Sequence, residues 1–176
     1  MNRFKTTLIE IKNDLPKRVL INFIKALIFN PSFKLLLLFR IGKYLSQSKI
    51  IFLRLIAVRI RIKIIKSFGC DFSFKATIGR KCKFAHPIGI VIGSEVIIED
   101  NVTIFQNVTF GSHGKKKKEK NYPIIKNNVT IYANSVIIGD VTIEENAIIG
   151  ASTLVNKNVP KNSNAFGNPM ITKYNQ

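Results

Sequence analysis

"IGSEVIIEDNVTIFQNVTF", residues 92–110, is the stretch whose reading decides the fold. Cut in sixes from Ile92 it gives IGSEVI, IEDNVT, IFQNVT and then Phe110, with a bulky apolar residue opening each six and valine in each fifth place. The phase breaks after Phe110 and resumes at Ile125 as IKNNVT, IYANSV, IIGDVT, IEENAI, IGASTL and VNKNVP. Upstream, Phe72, Ile78 and Phe84 keep the same step, with Ala76 and Cys82 in the fifth places. A sandwich would show period two without a six-residue phase. A fixed six-residue period predicts short flat strands joined by corners, three sixes closing one coil of a triangular parallel β-solenoid. The opening aliphatics stack inward on those of adjacent coils, and the small fifth residue fits beside them where a leucine would clash. Asn, Asp and Gly at places three and four suit tight corners. Residues 92–109 then make one coil, 125–160 two more, and 72–91 an irregular first one.

Two intervals depart from the ladder. Phe84 is followed by Ile92 after eight residues, not six, and His86 lies in the stretched interval. Fifteen residues separate Phe110 from Ile125 where six would serve, so residues 111–124 leave the solenoid as a loop. Excursions from a rigid scaffold are where function usually sits. The loop carries Lys115–Lys118, a run that is either a solvated tip or an attractor of phosphorylated or carboxylated ligands.

Charge divides the chain. The net formal charge is +18 and the mean hydropathy +0.14, which excludes a disordered polar chain. Residues 1–70 hold 15 Lys or Arg against Glu10 and Asp14 alone, whereas residues 71–176 hold 13 basic and 8 acidic residues. We therefore expect a basic, apolar helical subdomain over residues 1–69 and a β-solenoid domain over 70–176. Apolar residues at 20, 21, 24, 27 and 28 suit a helix after Pro16, broken at "NPS" (30–32), and Phe33 to Leu45 suits a second. Residues 50–66 read helical, against the strand-like alternation of "VRIRIKI". No stretch runs about 18 apolar residues without a charge, so a spanning helix is not expected. Two readings of the basic part compete: a cap packed on the solenoid, or an interfacial segment on an anionic membrane surface. We expect a subdomain that does both. Nucleic acid is not expected, since no recognition motif accompanies the charge. "MNRFKTTLIEIKNDLPKR" has no apolar core and is a poor secretory signal. Cys70 and Cys82 make no metal-ligand pattern and read as reduced thiols of a cytoplasmic protein; no metal is expected.

From about residue 70 to 172 the chain resembles the hexapeptide-repeat acyltransferases, in the serine acetyltransferase-like branch that includes capsular and exopolysaccharide O-acetyltransferases. The resemblance is carried by "CDFSFKATIGRKCKFAHPIGIVIG", "TIFQNVTFGSHGK", "YANSVIIGDVTI", "IGASTLV" and "NVPKNSNAFGNP". It implies a left-handed parallel β-helix, although general crossover rules favour the right hand. It also implies a homotrimer with acetyl-CoA held between subunits, His86 as general base and Asp71, fifteen residues earlier, as its partner acid. Such a base takes the proton of a hydroxyl as it attacks the thioester, while the carboxylate fixes the imidazole tautomer. Backbone N–H groups at Gly111–Ser112 suit the oxyanion. Positions matching the acetyl-CoA contacts are Gly111, Ser112, Gly114, Ala133 and Ala151; Lys115 and Lys173 suit its phosphates by charge. His113, in the loop, is the competing histidine.

Three departures bear on the acceptor. The branch's serine acetyltransferases place an Asp before the histidine, where this chain has Ala85, and an Arg–His pair in the loop, where it has Asn121 and Tyr122. With both charge partners of a serine zwitterion gone, the expectation is a hydroxyl of a surface-polysaccharide sugar, stacked on Tyr122 and presented as a glycan or lipid-linked acceptor at the inner membrane face. The alternatives are serine O-acetyltransferase of cysteine synthesis and a non-catalytic β-helix scaffold.

Overall fold

The computed structural model describes residues 3–14, 21–114 and 121–174. Among these residues four helices come first: α1 Arg3–Asp14, α2 Ile21–Phe29, α3 Pro31–Ser46 and α4 Ile51–Phe68. The "NPS" break is the start of α3, where Asn30 caps by accepting from the Phe33 N–H at 3.0 Å and Pro31 occupies the first turn. Residues 50–66 are helical despite their alternation. Gly69, at φ +61°, ends α4 by donating to Ile65 O.

Fifteen short strands follow among the described residues. One sheet stacks β1 (Asp71–Phe72), β4 (Val91–Ile92), β7 (Thr109–Gly111), β10 (Val136–Ile138) and β13 (Leu154–Val155). A second stacks β2 (Thr77–Ile78), β5 (Ile97–Ile98), β8 (Ile124–Ile125) and β11 (Thr142–Ile143). The third stacks β3 (Lys83–Phe84), β6 (Thr103–Ile104), β9 (Thr130–Ile131), β12 (Ile148–Ile149), β14 (Ser163–Phe166) and β15 (Ile171–Tyr174). Every pairing is parallel except β14 with β15, which folds back over the last coil. The chain is a three-sided parallel β-helix, left-handed like its structural neighbours.

The six-residue phase maps onto burial without exception. First-place residues from Phe72 to Val155 are all buried, and so are the fifth-place residues from Ala76 to Val159. Fourth-place Lys81, Asn101, Asn107, Asn128, Asn134, Asn146 and Ser152 adopt φ between +56° and +63°, the left-handed turn that asparagine tolerates best. Their amides join across coils, Asn128 donating to Asn146 and Asn146 to Asn162 at 3.1 and 2.8 Å.

The helices close the open end of the first coil. Leu35, Leu36 and Phe39 of α3, with Ile64 of α4, bury their side chains in the same core, and Phe39 meets Phe72 edge-on at 6.0 Å. Polar side chains satisfy the exposed strand edge. Arg40, 2% exposed, donates to Ile78 O and, at 2.6 Å, to Gly79 O. Lys43 donates to Ala76 O, Ser32 Oγ accepts from Phe84 N, and Asp14 accepts from Lys81 N. Asp14 also pairs with Arg40 at 3.3 Å, so the buried guanidinium has a counter-ion. Burial pushes the Asp14 carboxyl upward, and Arg40 opposes that shift. Cys70 and Cys82 are free and buried, and burial pushes the Cys82 thiol up to about 12.

Arg40→Ala leaves two carbonyls and Asp14 without their partner. We expect a loss of about 3–5 kcal/mol in urea unfolding, the usual cost of breaking a buried ion pair from one side. A change below about 1 kcal/mol would show that the edge finds other donors.

Candidate active site

The β-helix has three edges, and the described candidate residues other than Lys173 fall on two of them. His86 lies in the corner that leads from β3 to β4. That corner is stretched: Asp71 faces Val91, twenty residues on, where an ordinary coil such as Val91 to Thr109 takes eighteen. The extra residues are absorbed by a tight turn in which the Ile88 N–H donates to His86 O at 2.8 Å. Gly89, at φ +68°, follows, and a Cβ there would overlap the Asn107 side chain of the coil above. The turn sits over the start of the first coil, Gly89 N donating to Phe68 O and Asp71 N to Ile90 O. Backbone topology thus brings Asp71 and His86 to one corner.

The Asp71 carboxylate is held by a group that sequence reasoning missed. Arg61 of α4 donates to both its oxygens, at 2.9 and 3.0 Å. A carboxylate offers about four acceptor positions, so this pairing leaves capacity for an imidazole N–H.

A cavity of about 570 Å³ opens beside His86. Its walls are Ala85, Asn30 and Ser32, with Phe68 on the apolar side and two cations, Lys34 and Lys83, at the rim. None of the helical contributors was legible, because their approach is a tertiary contact with no local signature. An aromatic row climbs the same edge: the His86 ring lies 6.1 Å from Phe105, which stacks on Tyr132 at 4.9 Å. Both aromatics hold the second, outward place of a six, which is the signal that would have found them. Ala133 and Ala151 continue this edge, Ser152 N donating to Ala133 O at 2.9 Å. One coil before Ala133, Gln106 Oε1 is buried without a hydrogen-bond partner among the described residues.

Gly111, Ser112 and Gly114 are elsewhere. Gly111 ends β7 and the other two follow it, on the other edge of the same sheet, a strand's length or roughly 10 Å from the His86 edge. Here the step between coils rises to 27 residues, Thr109 facing Val136. His113 packs its ring against Gly139, whose φ is +86° and whose missing Cβ makes the room. Lys115 lies outside the described residues. Lys173 is on β15, its ammonium 5.7 Å over the Phe166 ring. Asn121 and Tyr122 end the loop, and Tyr122 lays its ring over Gly93 against the core.

Comparison with known proteins places this arrangement. The family model "Bacterial transferase hexapeptide (six repeats)" matches residues 122–157. A serine acetyltransferase of Buchnera aphidicola subsp. Schizaphis graminum is 33% identical over 148 residues, covering 84% of this chain and 56% of that one. Among solved structures, soybean serine acetyltransferase complexed with serine superposes with a TM-score of 0.79 at 26% identity, covering 97% of this chain and 69% of that one. A serine acetyltransferase complexed with CoA gives 0.70 at 30% identity, covering 80% and 56%.

The chain belongs to the hexapeptide-repeat transferases, in the serine acetyltransferase-like branch. It spans about half the length of the curated relatives it matches.

These relatives overturn the surface-polysaccharide expectation, since they are serine acetyltransferases. The structure supplies the physical reason the residues misled. Tyr122, expected to stack on a sugar, is engaged with Gly93 and the core. Arg40, Lys43 and Arg61, counted toward an anionic glycan partner, are bound to strand carbonyls and to Asp71. The loss of charge at Ala85 and Asn121 was weighed without Lys83, three residues before the histidine, and without Lys34, which only the fold brings beside it.

Gly139→Ala forces a methyl group onto the His113 ring in a left-handed backbone, at an expected cost of about 1–3 kcal/mol. At Gly111 an added Cβ meets only Ile138, at 4.0 Å. Thermal unfolding of the two variants should therefore differ, with Gly139→Ala the less stable.

Proposed function

We propose that this hexapeptide-repeat transferase moves the acetyl group of acetyl-CoA to the hydroxyl of serine. The observation that carries this reading is the identity to serine acetyltransferases: any 148-residue span of the chain includes residues 29–148, hence Asp71, His86 and Gly111. His86 Nε2 or Nδ1 accepts the hydroxyl proton as the oxygen attacks the thioester carbonyl. Asp71, steadied by Arg61, stabilises the imidazolium. N–H groups at Gly111–Ser112 receive the oxyanion, which collapses to the O-acetyl ester and expels the coenzyme A thiolate, and the imidazolium returns the proton to it.

Two features of the cavity support a small carboxylate-bearing acceptor. Its volume of about 570 Å³ suits a small substrate, and Lys34 and Lys83 stand where a carboxylate needs a cation now that position 121 is Asn. Because His86 and Gly111 occupy opposite edges of one sheet, a single chain does not complete the site. We read the missing edge as a neighbour's in a homotrimer, which also offers the buried Gln106 Oε1 a donor. Gly111, Ser112, Gly114, Ala133 and Ala151 then line the acetyl-CoA groove, and the free, buried cysteines suit a cytoplasmic workplace.

Free thiol released from acetyl-CoA, followed with and without serine, tests the reading. His86→Ala should lower turnover by about 10²–10⁴-fold while unfolding at an unchanged temperature. Absence of thiol release with serine from the folded wild-type chain would overturn the proposed acceptor. Lys34→Ala and Lys83→Ala should each raise the KM for serine about 10-fold or more, as the loss of a charge-assisted hydrogen bond does, and leave kcat within about threefold.

A further inference from the structure

We propose that the outward face of α4 docks on an anionic lipid bilayer. This helix is aliphatic on two opposite faces. One stripe, with Ala57 and Ile64 at its centre, is buried against the core. The other, at 51, 55, 58, 62 and 65, recurs with helical spacing on the far side, and all five residues are exposed, from 42% at Ile62 to 65% at Ile51. A helix apolar on both faces is ordinarily covered on both, and this one is covered on one.

Cations bracket the outward stripe. At 100° per residue Arg54 and Arg61 fall along one border, and Arg59, Lys63 and Lys66 along the other. Arg61 already serves Asp71, the one acid at this border; among the described residues the other four form no ion pair. No acidic residue occurs between positions 15 and 70. The stripe also floors an apolar groove of about 750 Å³, with Phe74 and Lys75 of the first coil as its far wall. An aliphatic ridge between two basic rows is the arrangement of a helix lying in the headgroup plane, its ridge in the acyl boundary and its cations at the phosphates. No described helix is long and apolar enough to cross a membrane, so contact is along the surface. A second copy of the chain would meet the stripe with the same basic borders, which charge repulsion opposes. The inference does not rest on the acetyl-transfer reading.

The test is co-sedimentation of the full chain with vesicles of phosphatidylcholine alone or mixed with phosphatidylserine. Pelleting is expected only with the anionic vesicles, and less of it as salt rises. Each basic residue near such a surface strengthens binding about fivefold, so the triple variant Arg59→Gln/Lys63→Gln/Lys66→Gln should weaken it about a hundredfold. Leu55→Ser/Ile62→Ser should also release the protein. Both side chains are exposed in the groove beside the first coil, so unfolding temperature is the control. Equal pelleting with both vesicle types, or none with either, overturns the proposal. So do variants that leave pelleting intact but lower the assembly mass by light scattering, which would make the face a protein contact.

Discussion

A stack of parallel strands ends in a row of backbone groups with nothing above or below them, and everything in this molecule depends on how the first coil's row is closed. An open edge of that kind templates aggregation and leaves the register of the first coil free. Here the closure is polar as well as apolar. Arg40 and Lys43 fill the carbonyl positions at Ala76, Ile78 and Gly79; Ser32 and Asp14 fill the N–H positions at Phe84 and Lys81. A guanidinium is suited to this task because its planar fork reaches two carbonyls and a carboxylate at once. The basic helices are therefore part of the β-helix's hydrogen-bonding system. Fixing the first coil also fixes the corner above it, where His86 stands.

The repeat was legible because its constraint is local and recurs. A buried first place and a small fifth place each leave a residue-type signature every six positions, and a left-handed fourth place marks the corners at Lys81, Asn101, Asn107, Asn128, Asn134, Asn146 and Ser152. The stretched His86 interval was legible for the same reason, as a fault in a regular pattern. The cap was not. Arg40 and Ile78 are 38 residues apart, and a count of charges treats every cation as facing water when this one is buried. Nor did spacing reveal that Asp71 shares its carboxylate with Arg61. Tyr122 was misread because a loop's return path has no period, so motif position said nothing about where its ring would settle.

Insertions show how the scaffold separates chemistry from stability. The two extra residues of the His86 corner lengthen the step from Asp71 to Val91, from Thr77 to Ile97 and from Lys83 to Thr103 alike, to twenty in each sheet. The loop does the same one coil later, with 27 residues in all three sheets. Each insertion lies wholly in a corner, so no inward side chain loses its stacking partner. A one-residue slip within a strand would instead turn the core face outward. Corners are the positions where this fold accepts new residues without disturbing the core, and both departures from the ladder carry histidines.

The same geometry limits what one chain can assemble. Along an edge, residues recur at a fixed rise and can be aligned by position alone, as His86, Phe105 and Tyr132 are. Across a face, the flat strand holds its two corners a fixed distance apart, and no insertion shortens it. A reaction that needs the base of one corner beside the N–H groups of the next cannot be completed within one three-sided column. It requires the corner of another column to be set against the first, which makes assembly a condition of the chemistry.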